Sequence, residues 1–432
     1  MADKNKRGEL KKLEEAVKAV YLIADPYITK FICAMILTQK LSSDPAWAVI
    51  VAPPGGGKSE FINMIGKCMN VHALSTLTSR TLVSGAKKAG EETSLLMKIG
   101  KTGIITFKDM TSLLSENKDD RSVIMGQLRE IFDGKYDKTF GTGETVSWAG
   151  KITVIAGATY AIHTLRQAYT AMGERFLFYN LIQPDRIEAA RRNMENQQEG
   201  NMAEKRNNLS DMMKQYVDVT VEIPEKLPDL DEDLKNKILD IAELATRARS
   251  ETERNWRSPQ MEITEVHPPE MPTRFAGAVM AIALALAVIN HNEYGKFDLL
   301  EGDKKILYKI ALDSVTKSKR IAMQELAKYD VLETGGLATK IGFPTSTIRR
   351  WMEDLTALGV AEREKHGGSK GDRWKILPRY KTIISEFEDI KIEGGELTDD
   401  NADAGDLPTD EKKQIEDENK AAAQRRLDEA GF

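Results

Sequence analysis

The feature that most constrains the fold is a glycine-rich loop between an apolar run and a helical pattern. The run, residues 46–51, is nearly all apolar, which is typical of a central strand in a parallel sheet. The loop, residues 52–59, reads Ala-Pro-Pro-Gly-Gly-Gly-Lys-Ser, and the helical pattern covers residues 60–68. Glycines let backbone N–H groups meet phosphate oxygens directly, and a helix start adds a positive dipole end. The order of strand, loop and helix therefore predicts an α/β fold with a phosphate-binding loop.

The loop residues have separate predicted roles. Lys58 is predicted to reach the β- and γ-phosphates of ATP, and the Ser59 hydroxyl is predicted to hold Mg²⁺. Ala52 stands where such loops usually begin with glycine. The alternative is a glycine-rich turn that precedes Lys-Ser by coincidence. The predicted nucleotide-binding residues of the loop are Pro54, Gly55, Gly56, Gly57, Lys58, Ser59 and Glu60.

Two further apolar runs, residues 103–107 and 152–156, predict parallel strands whose ends carry the remaining catalytic groups. Lys108 and Asp109 follow the first run, so a lysine stands in the usual first acidic position and Asp109 is left to hold the metal or orient water. Thr159 follows the second run and is the candidate sensor of the γ-phosphate. The alternative is a scaffold that binds nucleotide with little turnover.

Two arginines are candidates for contact with the transferred phosphate. Arg175 precedes a predicted buried strand, and an arginine supplied by a neighbouring subunit stabilises transition-state charge in ring ATPases. Its alternative role is a structural ion pair. Arg274 lies at the start of a long apolar helix and is predicted to reach the nucleotide from a helical lid. Its alternative role is that of a surface residue flanking a helix.

Changes in composition divide the chain into five regions. These are an N-terminal helical segment (1–44), an ATPase core (45–190), a helical connector and lid (191–330), a compact C-terminal unit (331–381) and an acidic tail (382–432). The polar stretch at residues 188–216 favours a long exposed helix or a mobile connector. Residues 234–329 have a helical pattern interrupted by prolines. From Glu386 onward, 16 acidic and 6 basic side chains give a net charge of −10, so the tail is predicted to be mostly disordered.

Several classes of protein are excluded by composition. Cys33 and Cys68 lie far apart and the five histidines are scattered, so neither a disulfide framework nor a zinc site is predicted. The N-terminus lacks the apolar region of a signal peptide. The longest apolar stretch, residues 275–289, is shorter than the ~18 residues that span a bilayer and predicts a buried helix. We expect a cytoplasmic protein, in a bacterial cell or a phage-infected host, without membrane contact.

Two short segments that contain lysines are candidates for DNA contact. Residues 133–148 predict a β-hairpin directly before the strand at 152–156, and its lysines suit phosphate contacts. The alternative is an ordinary surface hairpin. Residues 85–90 place two lysines between glycines, for which a solvated turn is the alternative. The candidate residues are Lys87, Lys88, Lys135 and Lys138.

The C-terminal unit has the pattern of a winged helix. Two short helices, at residues 335–341 and 345–358, precede a hairpin with a basic, glycine-rich tip at residues 366–371. The unit is basic while the tail is acidic; the whole chain carries −5, so the chain without the tail carries +5. The alternative is a winged helix that binds protein. The candidate DNA contacts are Arg349, Arg350, Lys370 and Arg373.

The motifs together resemble a known family. In chain order they are APPGGGKSE, GIITFKDMTSLLS, LREIFDGKYDKTFGTGETVSWAGKI, GERFLFY and EMPTRFA. They resemble AAA+ ATPases of phages, plasmids and integrated elements, which are similar to MCM-type replicative helicases, over roughly residues 44–329 and into a C-terminal winged helix. Such proteins also include the lysine-aspartate variant of the acidic motif. The resemblance implies Lys58 and Ser59 in the P-loop, Asp109 in the acidic motif, Thr159 as sensor, Arg175 as arginine finger and Arg274 as lid sensor.

The resemblance further implies a hexameric ring with ATP between subunits and DNA in the pore. The favoured function is an ATP-dependent DNA motor, as a ring-forming replicative helicase or replication initiator of a mobile element. The alternative is a non-processive DNA-binding ATPase that acts as a helicase loader or regulator. The expected cofactors are ATP and Mg²⁺. The expected partners are DNA, further copies of the chain and, through the acidic tail, other replication proteins.

Overall fold

The structure is a computed structural model that describes residues 7–78, 81–83, 94–114, 116–141, 143, 145–163, 175–255, 257–258, 261–364 and 371–385. Residues 382–385 of the region predicted to be a disordered acidic tail instead end a helix, Pro378–Ser385, because Ile383 and Ile384 are buried, and the rest of the tail lies outside the described residues. Through residue 180 the elements are α1 (Glu9–Val20), α2 (Ile28–Thr38), β1 (Trp47–Val51), α3 (Lys58–Met64), β2 (Val71–Leu74), α4 (Leu95–Ile99), β3 (Thr102–Phe107), α5 (Thr111–Leu114), α6 (Lys118–Phe132), β4 (Lys135–Thr139), β5 (Thr145–Ala149), β6 (Lys151–Ala158) and β7 (Phe176–Asn180).

The core is a five-stranded parallel sheet flanked by helices, in the order β2-β3-β6-β1-β7. Trp47 pairs with Val154 and Phe176, so β1 lies between β6 and β7. All five residues of β1 are buried, as its continuous apolar sequence requires. We call the side of the sheet where the strands end the carboxyl edge, and the side where they begin the amino edge. The predicted strands at 46–51, 103–107 and 152–156 are confirmed, the last running on to Ala158.

Alternate residues of the strands face two separate apolar cores. Ala48 and Ile50 pack into the core formed with α1, α2, α3 and the helices that follow β7. Trp47 and Val49 pack into the opposite core, with α4 and α6. The side-chain period of two along a strand produces this division, because successive residues point to opposite faces.

Beyond β7 the chain forms helices interrupted by one hairpin. The elements are α7 (Arg186–Glu199), α8 (Met202–Lys214), a π-helical segment (Gln215–Thr220), α9 (Glu232–Arg249), β8 (Thr252–Arg254), β9 (Ile263–Val266), α10 (Thr273–Tyr294), α11 (Glu301–Asp313), α12 (Lys317–Ala327), β10 (Leu332–Glu333), α13 (Thr334–Ile341), α14 (Thr345–Ala357), β11 (Ala361–Glu364), β12 (Arg373–Ile376) and α15 (Pro378–Ser385).

The connector at residues 188–216 is two helices, neither one long helix nor a mobile segment. Gly200, at φ 73°, adopts the left-handed conformation that ends α7. Most of α7 is exposed, as expected. The following helix α8 instead buries Leu209 and Met213 against α1 and α3. Hydrophobic burial, rather than the polar average composition, therefore fixes the second half of the connector.

The lid is built on α10, which packs against α2 and α9. Among the described helices α10 is the one long and apolar enough to span a membrane by composition, but most of it is buried inside the protein. The prediction of a buried helix is thus confirmed, although the helix has 22 residues. The helical prediction is wrong at β8 and β9, which pair as an antiparallel hairpin between α9 and α10. The contacts that Thr252 and Arg254 form with Asp354 of α14 outweigh the helical pattern here.

The C-terminal unit contains two short helices, α13 and α14, and a three-stranded sheet in the order β10-β12-β11. Gly342, at φ 82°, ends α13 and turns the chain toward α14. Helix α12 packs against α13, α14 and α15 and joins the unit to the lid. The tip of the β11-β12 hairpin, residues 365–370, lies outside the described residues.

Candidate active site

The glycine-rich loop leaves β1 at the carboxyl edge and needs its glycines for two different reasons. Gly55 and Gly57 have φ values of 77° and 86°, in the left-handed region that favours glycine. A Cβ on Gly56 would lie 2.7 Å from Gln183 Oε1 and 3.0 Å from the Pro53 carbonyl oxygen. At these positions the loop therefore requires glycine, and a backbone without side chains is what lets N–H groups meet phosphate oxygens directly.

Lys58 begins α3 and lies folded against the loop. Its side chain is buried, and Nζ lies 3.5 Å from the Pro53 carbonyl oxygen. Ser59, the next residue, is half-buried beside the loop. The start of the loop is anchored to both neighbouring strands, because Ala52 N donates to Ala158 O over 3.1 Å and Leu181 N donates to Val51 O over 2.8 Å. An ammonium and a hydroxyl thus lie beside the loop.

The Glu60 side chain is held by two residues outside the loop. Its carboxylate accepts two hydrogen bonds from Arg206 of α8, at 2.9 and 2.6 Å, and one from the Tyr21 hydroxyl at 2.7 Å. The side chain is thus directed at α8 and the end of α1. The Glu60 backbone, in contrast, belongs to the loop, because its N–H donates to Gly57 O over 3.0 Å.

Asp109 and Thr159 lie at the ends of neighbouring strands, and Thr111 joins them. Asp109 Oδ1 accepts from the Thr111 N–H over 2.9 Å. Thr111 Oγ1 in turn accepts from the Thr159 N–H over 2.9 Å and lies 3.3 Å from Thr159 Oγ1. Lys108 and Asp109 are exposed. The structure therefore brings the predicted acid and the predicted sensor together at the carboxyl edge, with β6 between β3 and the P-loop strand.

A glycine permits the close approach of β6 to the residues that directly follow β3. Met110 N donates to Gly157 O over 2.6 Å. A Cβ on Gly157 would lie 2.6 Å from the Lys108 carbonyl oxygen and 2.9 Å from Ile62 of α3. Gly157 thus sets the distance between the end of β3, which carries Asp109, and the P-loop helix.

Arg175 lies at the opposite edge of the sheet from the P-loop. It precedes Phe176, which pairs with Trp47 at the start of β1, whereas the loop follows Val51. Five residues of strand separate these edges by about 16 Å. The Arg175 side chain is mostly buried, forms an ion pair with Asp133 at 3.1 Å and stacks over Phe132 at 5.5 Å. It cannot reach the phosphates of its own chain.

Arg274 also lies at the amino edge. It is the second residue of α10 and is exposed. One turn further on, a Cβ on Gly277 would lie 3.7 Å from the carboxylate of Asp44, which precedes β1. Helix α10, and Arg274 with it, therefore begins at the edge away from the P-loop of its own chain.

The predicted hairpin at 133–148 is confirmed as β4 and β5, which pair from Lys135 with Ala149 to Thr139 with Thr145. Trp148 anchors it, since its indole N–H donates to the Gly100 carbonyl over 2.7 Å. Lys135 is exposed, and the Lys138 ammonium lies 5.3 Å from the centre of the Phe140 ring. The hairpin runs directly into the start of β6 and so extends from the amino edge.

The candidate DNA-contacting residues of the C-terminal unit differ in their exposure to solvent. Arg349 is half exposed and lies 3.7 Å from Asp372, and Arg373 pairs with Glu333 at 3.3 Å. Arg350 is half-buried, with its guanidinium 3.1 Å from Met261 Sδ. Lys370 lies outside the described residues, as do Lys87 and Lys88.

A buried ionic cluster fixes the end of β7 beside the P-loop. Asp313 accepts from the Asn180 N–H over 2.8 Å and from Lys309 Nζ over 2.7 Å, and it also pairs with Arg320. Nearby, Asp25 accepts from the Tyr179 hydroxyl over 2.8 Å. Burial raises the pKa of the Asp25 carboxyl, and the Lys309 ammonium offsets part of that rise. Helices α11 and α12 are thereby tied to the strand that flanks the nucleotide loop.

The sequence did not reveal three residues of this site. Thr111 forms an Asp-x-Thr pattern with Asp109, a known signal for a turn in which the aspartate caps the next helix. Gln183 packs on Gly56, and Arg206 holds Glu60, which is 146 residues away along the chain. Neither of the last two has a local sequence signal.

The donor atoms present suit ATP with Mg²⁺. Within the residues that the structure describes, no group of three His, Cys, Asp or Glu side chains is placed to hold a metal ion. Mg²⁺ is commonly held by one or two protein oxygens together with phosphate oxygens. The Ser59 hydroxyl and the Asp109 carboxylate are oxygen donors of this kind.

Comparison with known proteins leaves the family undetermined. No family model matches the chain, and no curated protein matches its sequence significantly. The functional assignment therefore depends on the residues and geometry described above.

Proposed function

We propose that this protein is an ATP-dependent motor on DNA that works as a ring of identical subunits. The observation that carries the proposal is the division of the candidate residues between two edges of one sheet. Lys58, Asp109 and Thr159 lie at the carboxyl edge, and Arg175 and Arg274 lie at the amino edge. In a ring, the carboxyl edge of one copy faces the amino edge of the next copy. The loop and acidic residues of the first copy and the two arginines of the second then form one complete ATPase site, which neither copy contains alone.

Each side chain has a defined task in that site. Lys58 neutralises charge on the transferred phosphoryl group, and Asp109 orients and polarises the attacking water. Ser59 and Asp109 hold Mg²⁺, which neutralises phosphate charge when bound. Thr159, positioned through Thr111, contacts the γ-phosphate. The two arginines stabilise the charge of the transition state in the neighbouring site.

The proposal places the protein among the AAA+ ATPases of mobile elements that its motifs resemble. The sheet order and the hairpin at the start of β6 are consistent with that assignment. In it, β4 and β5 extend toward DNA in the ring, and α13, α14 and the β11-β12 hairpin form a winged helix that binds duplex DNA. The cytoplasmic location proposed from the sequence agrees with two free, buried cysteines.

A helicase loader or regulator remains the second candidate. Lys108 is exposed next to Asp109, and the Asp109 carboxylate already accepts a backbone hydrogen bond. This arrangement favours an ATPase with slow turnover that uses ATP chiefly to assemble.

The test combines three measurements on the full chain. Native mass measurement with ATP and single-stranded DNA gives the number of subunits, and an ATPase assay gives the stimulation by DNA. A forked duplex with one fluorescent strand reports strand separation. Lys58→Ala serves as the matched control. Stimulated hydrolysis with strand separation supports the motor, assembly on DNA without separation supports the loader, and a monomer that hydrolyses ATP independently of DNA contradicts both.

A further inference from the structure

The hairpin of β8 and β9 docks on α14 through one fully engaged arginine. Arg254, with a side chain only 4% exposed, donates to Asp354 Oδ1 from Nε at 3.2 Å and from Nη2 at 2.6 Å. It also donates to Glu353 Oε2 at 3.3 Å and to the carbonyls of Arg350 at 2.9 Å and Met261 at 2.7 Å. All five N–H groups of the guanidinium are thereby used.

Thr252 strengthens the same contact. Its hydroxyl donates to Asp354 Oδ1 over 2.7 Å, two residues before Arg254 on the same strand. Met261, on the loop between the strands, lies against the Arg350 guanidinium. The hairpin is therefore held on α14 by a buried, charge-assisted network.

The contact covers part of the helix face that a DNA groove would meet. Residues 346, 349, 350, 353 and 357 form one stripe along α14, at the spacing that keeps helical residues on one face. Ser346 and Arg349, toward the helix start, are exposed, whereas Arg350 and Glu353 are only partly exposed beside the hairpin. The second helix of a helix-turn-helix enters the major groove along such a stripe. With the hairpin docked, the middle of the stripe at Arg350 and Glu353 is partly covered, whereas Ser346, Arg349 and, at the other end, Ala357 are exposed.

The outer face of the hairpin is rich in glutamate, one of which, Glu253, lies 3.1 Å from His267 Nε2. Glu253 and Glu265 are exposed and stand directly opposite each other in register, and Glu262 is exposed nearby. Like charges at opposed positions weaken a strand pair, and they repel the phosphates of DNA. A joint DNA-binding surface of hairpin and helix is therefore disfavoured, because the hairpin would bring carboxylates toward the DNA backbone.

We propose that the β8-β9 hairpin is an autoinhibitory element that competes with duplex DNA for α14. In the docked state Arg254 holds Asp354 and Glu353, and the glutamate-rich outer face keeps duplex DNA away from Arg349 and Arg350. Binding of duplex DNA along α14 requires the hairpin to leave the helix. The inference rests on the proposed role of α14 in binding duplex DNA.

The test measures binding of the full chain to a fluorescent 30-base-pair duplex by anisotropy, without nucleotide. All variants carry Lys135→Ala and Lys138→Ala, which remove the contacts proposed for β4 and β5. Arg254→Ala should bind the duplex at least about tenfold more tightly than its parent. Adding Arg349→Ala to Arg254→Ala should abolish that gain. Arg254→Lys should give an intermediate gain, because lysine keeps the charge but loses the bidentate geometry.

A second variant tests the proposal independently, in case Arg254→Ala does not fold correctly. Glu253→Gln with Glu265→Gln changes only exposed positions of the hairpin, and it should also tighten binding, with less effect at high salt. Hydrogen exchange supplies an independent readout: excess duplex should increase exchange in residues 252–254 and 263–266 of the parent.

The outcomes separate the two proposals. Unchanged or weaker binding in both hairpin variants, together with loss of binding on Arg349→Ala, overturns autoinhibition and leaves α14 as a DNA contact. Duplex binding that is insensitive to Arg349→Ala in every background overturns the role of α14 in DNA binding and autoinhibition with it.

Discussion

The Thr111 hydroxyl oxygen accepts a hydrogen bond from the Thr159 N–H over 2.9 Å, across 48 residues of sequence. Asp109, held by the Thr111 N–H, and Thr159 are thus positioned by one residue. Thr111→Val should lower kcat by about 10- to 100-fold, because small displacements of reacting groups have effects of this size. It should leave the affinity for ATP nearly unchanged.

Thr111→Ser is the matched variant, since it keeps the hydroxyl and should keep most of the activity. Steady-state ATPase kinetics and binding of a fluorescent ATP analogue measure the two effects. Near-normal kcat in Thr111→Val, which keeps the methyl group and lacks the hydroxyl, would show that the hydrogen bond to the Thr159 N–H is not needed for turnover.

Removing the loop cation should stop hydrolysis. Lys58 touches the loop and belongs to neither apolar core, so Lys58→Ala should abolish ATP turnover and leave the far-UV circular dichroism unchanged. Lys67→Ala, at a partly exposed lysine that pairs with Asp211 at 2.6 Å, controls for the general loss of a positive charge. Near-normal turnover in Lys58→Ala would remove the P-loop assignment.

The carboxylate of Asp109 is the next test of the site. Asp109→Asn keeps an oxygen for the Thr111 N–H but removes the negative charge, so it should permit ATP binding and lower turnover by about 10²- to 10⁴-fold. Single-turnover hydrolysis measures the chemical step directly. A loss of about tenfold or less would point to a different acid.

The division of residues between two edges predicts complementation between subunits. Arg175→Ala and Lys58→Ala should each be inactive, the former because arginine fingers contribute about 10³- to 10⁵-fold. Mixed rings of the two should regain part of the activity, since some interfaces contain both intact residues. Arg274→Ala should complement Lys58→Ala in the same way.

Asp133→Asn separates the role of Arg175 at a neighbouring site from its ion pair with Asp133. If Arg175 acts on the neighbouring subunit, Asp133→Asn should retain most of the turnover and the mixtures should recover. Mixed rings that form but stay inactive at every ratio, with Asp133→Asn as impaired as Arg175→Ala, would assign Arg175 a structural role.

Burial of Lys151 predicts a dependence of stability on pH. Desolvation lowers the pKa of Lys151 to about 8, against a smaller opposing effect of Asp44. Its Nζ lies 2.7 Å from Thr38 O and 2.8 Å from Leu41 O. Because the unfolded chain keeps this proton up to about pH 10.5, it binds more protons than the folded chain between pH 8 and 10.5. The contribution of Lys151 to stability therefore rises with pH in that window.

The Lys151→Met variant lacks the titrating ammonium group of Lys151, while all other lysines are the same as in the wild type. The difference in stability between the two proteins therefore reports the titration of Lys151. The midpoint of thermal unfolding of the wild type should rise relative to that of Lys151→Met between pH 8 and 10, and the difference should be constant from pH 6 to 7. A difference that does not change with pH would show that Lys151 is charged in the folded protein throughout.

Much of the local structure follows from the sequence. The continuous apolar run of β1 favours a buried strand, and the glycines at 55–57 permit the left-handed conformation that Gly55 and Gly57 adopt. The apolar sequence of α10 requires burial on nearly all sides. Periodicity and backbone freedom are properties of neighbouring residues, so these elements, the β4-β5 hairpin and the order of strand, loop and helix were predictable.

The edge of the sheet on which each candidate lies, and the partner that it meets, were decided by tertiary structure. Arg175 and Arg274 resemble site residues in sequence, but the parallel pairing of β7 with β1 and the packing of α10 at Asp44 put both at the amino edge. Glu60 turns to Arg206 and Arg254 turns to Asp354 through contacts between residues about 100 or more positions apart. Such contacts depend on how amphipathic elements bury their apolar faces together, which no local pattern encodes.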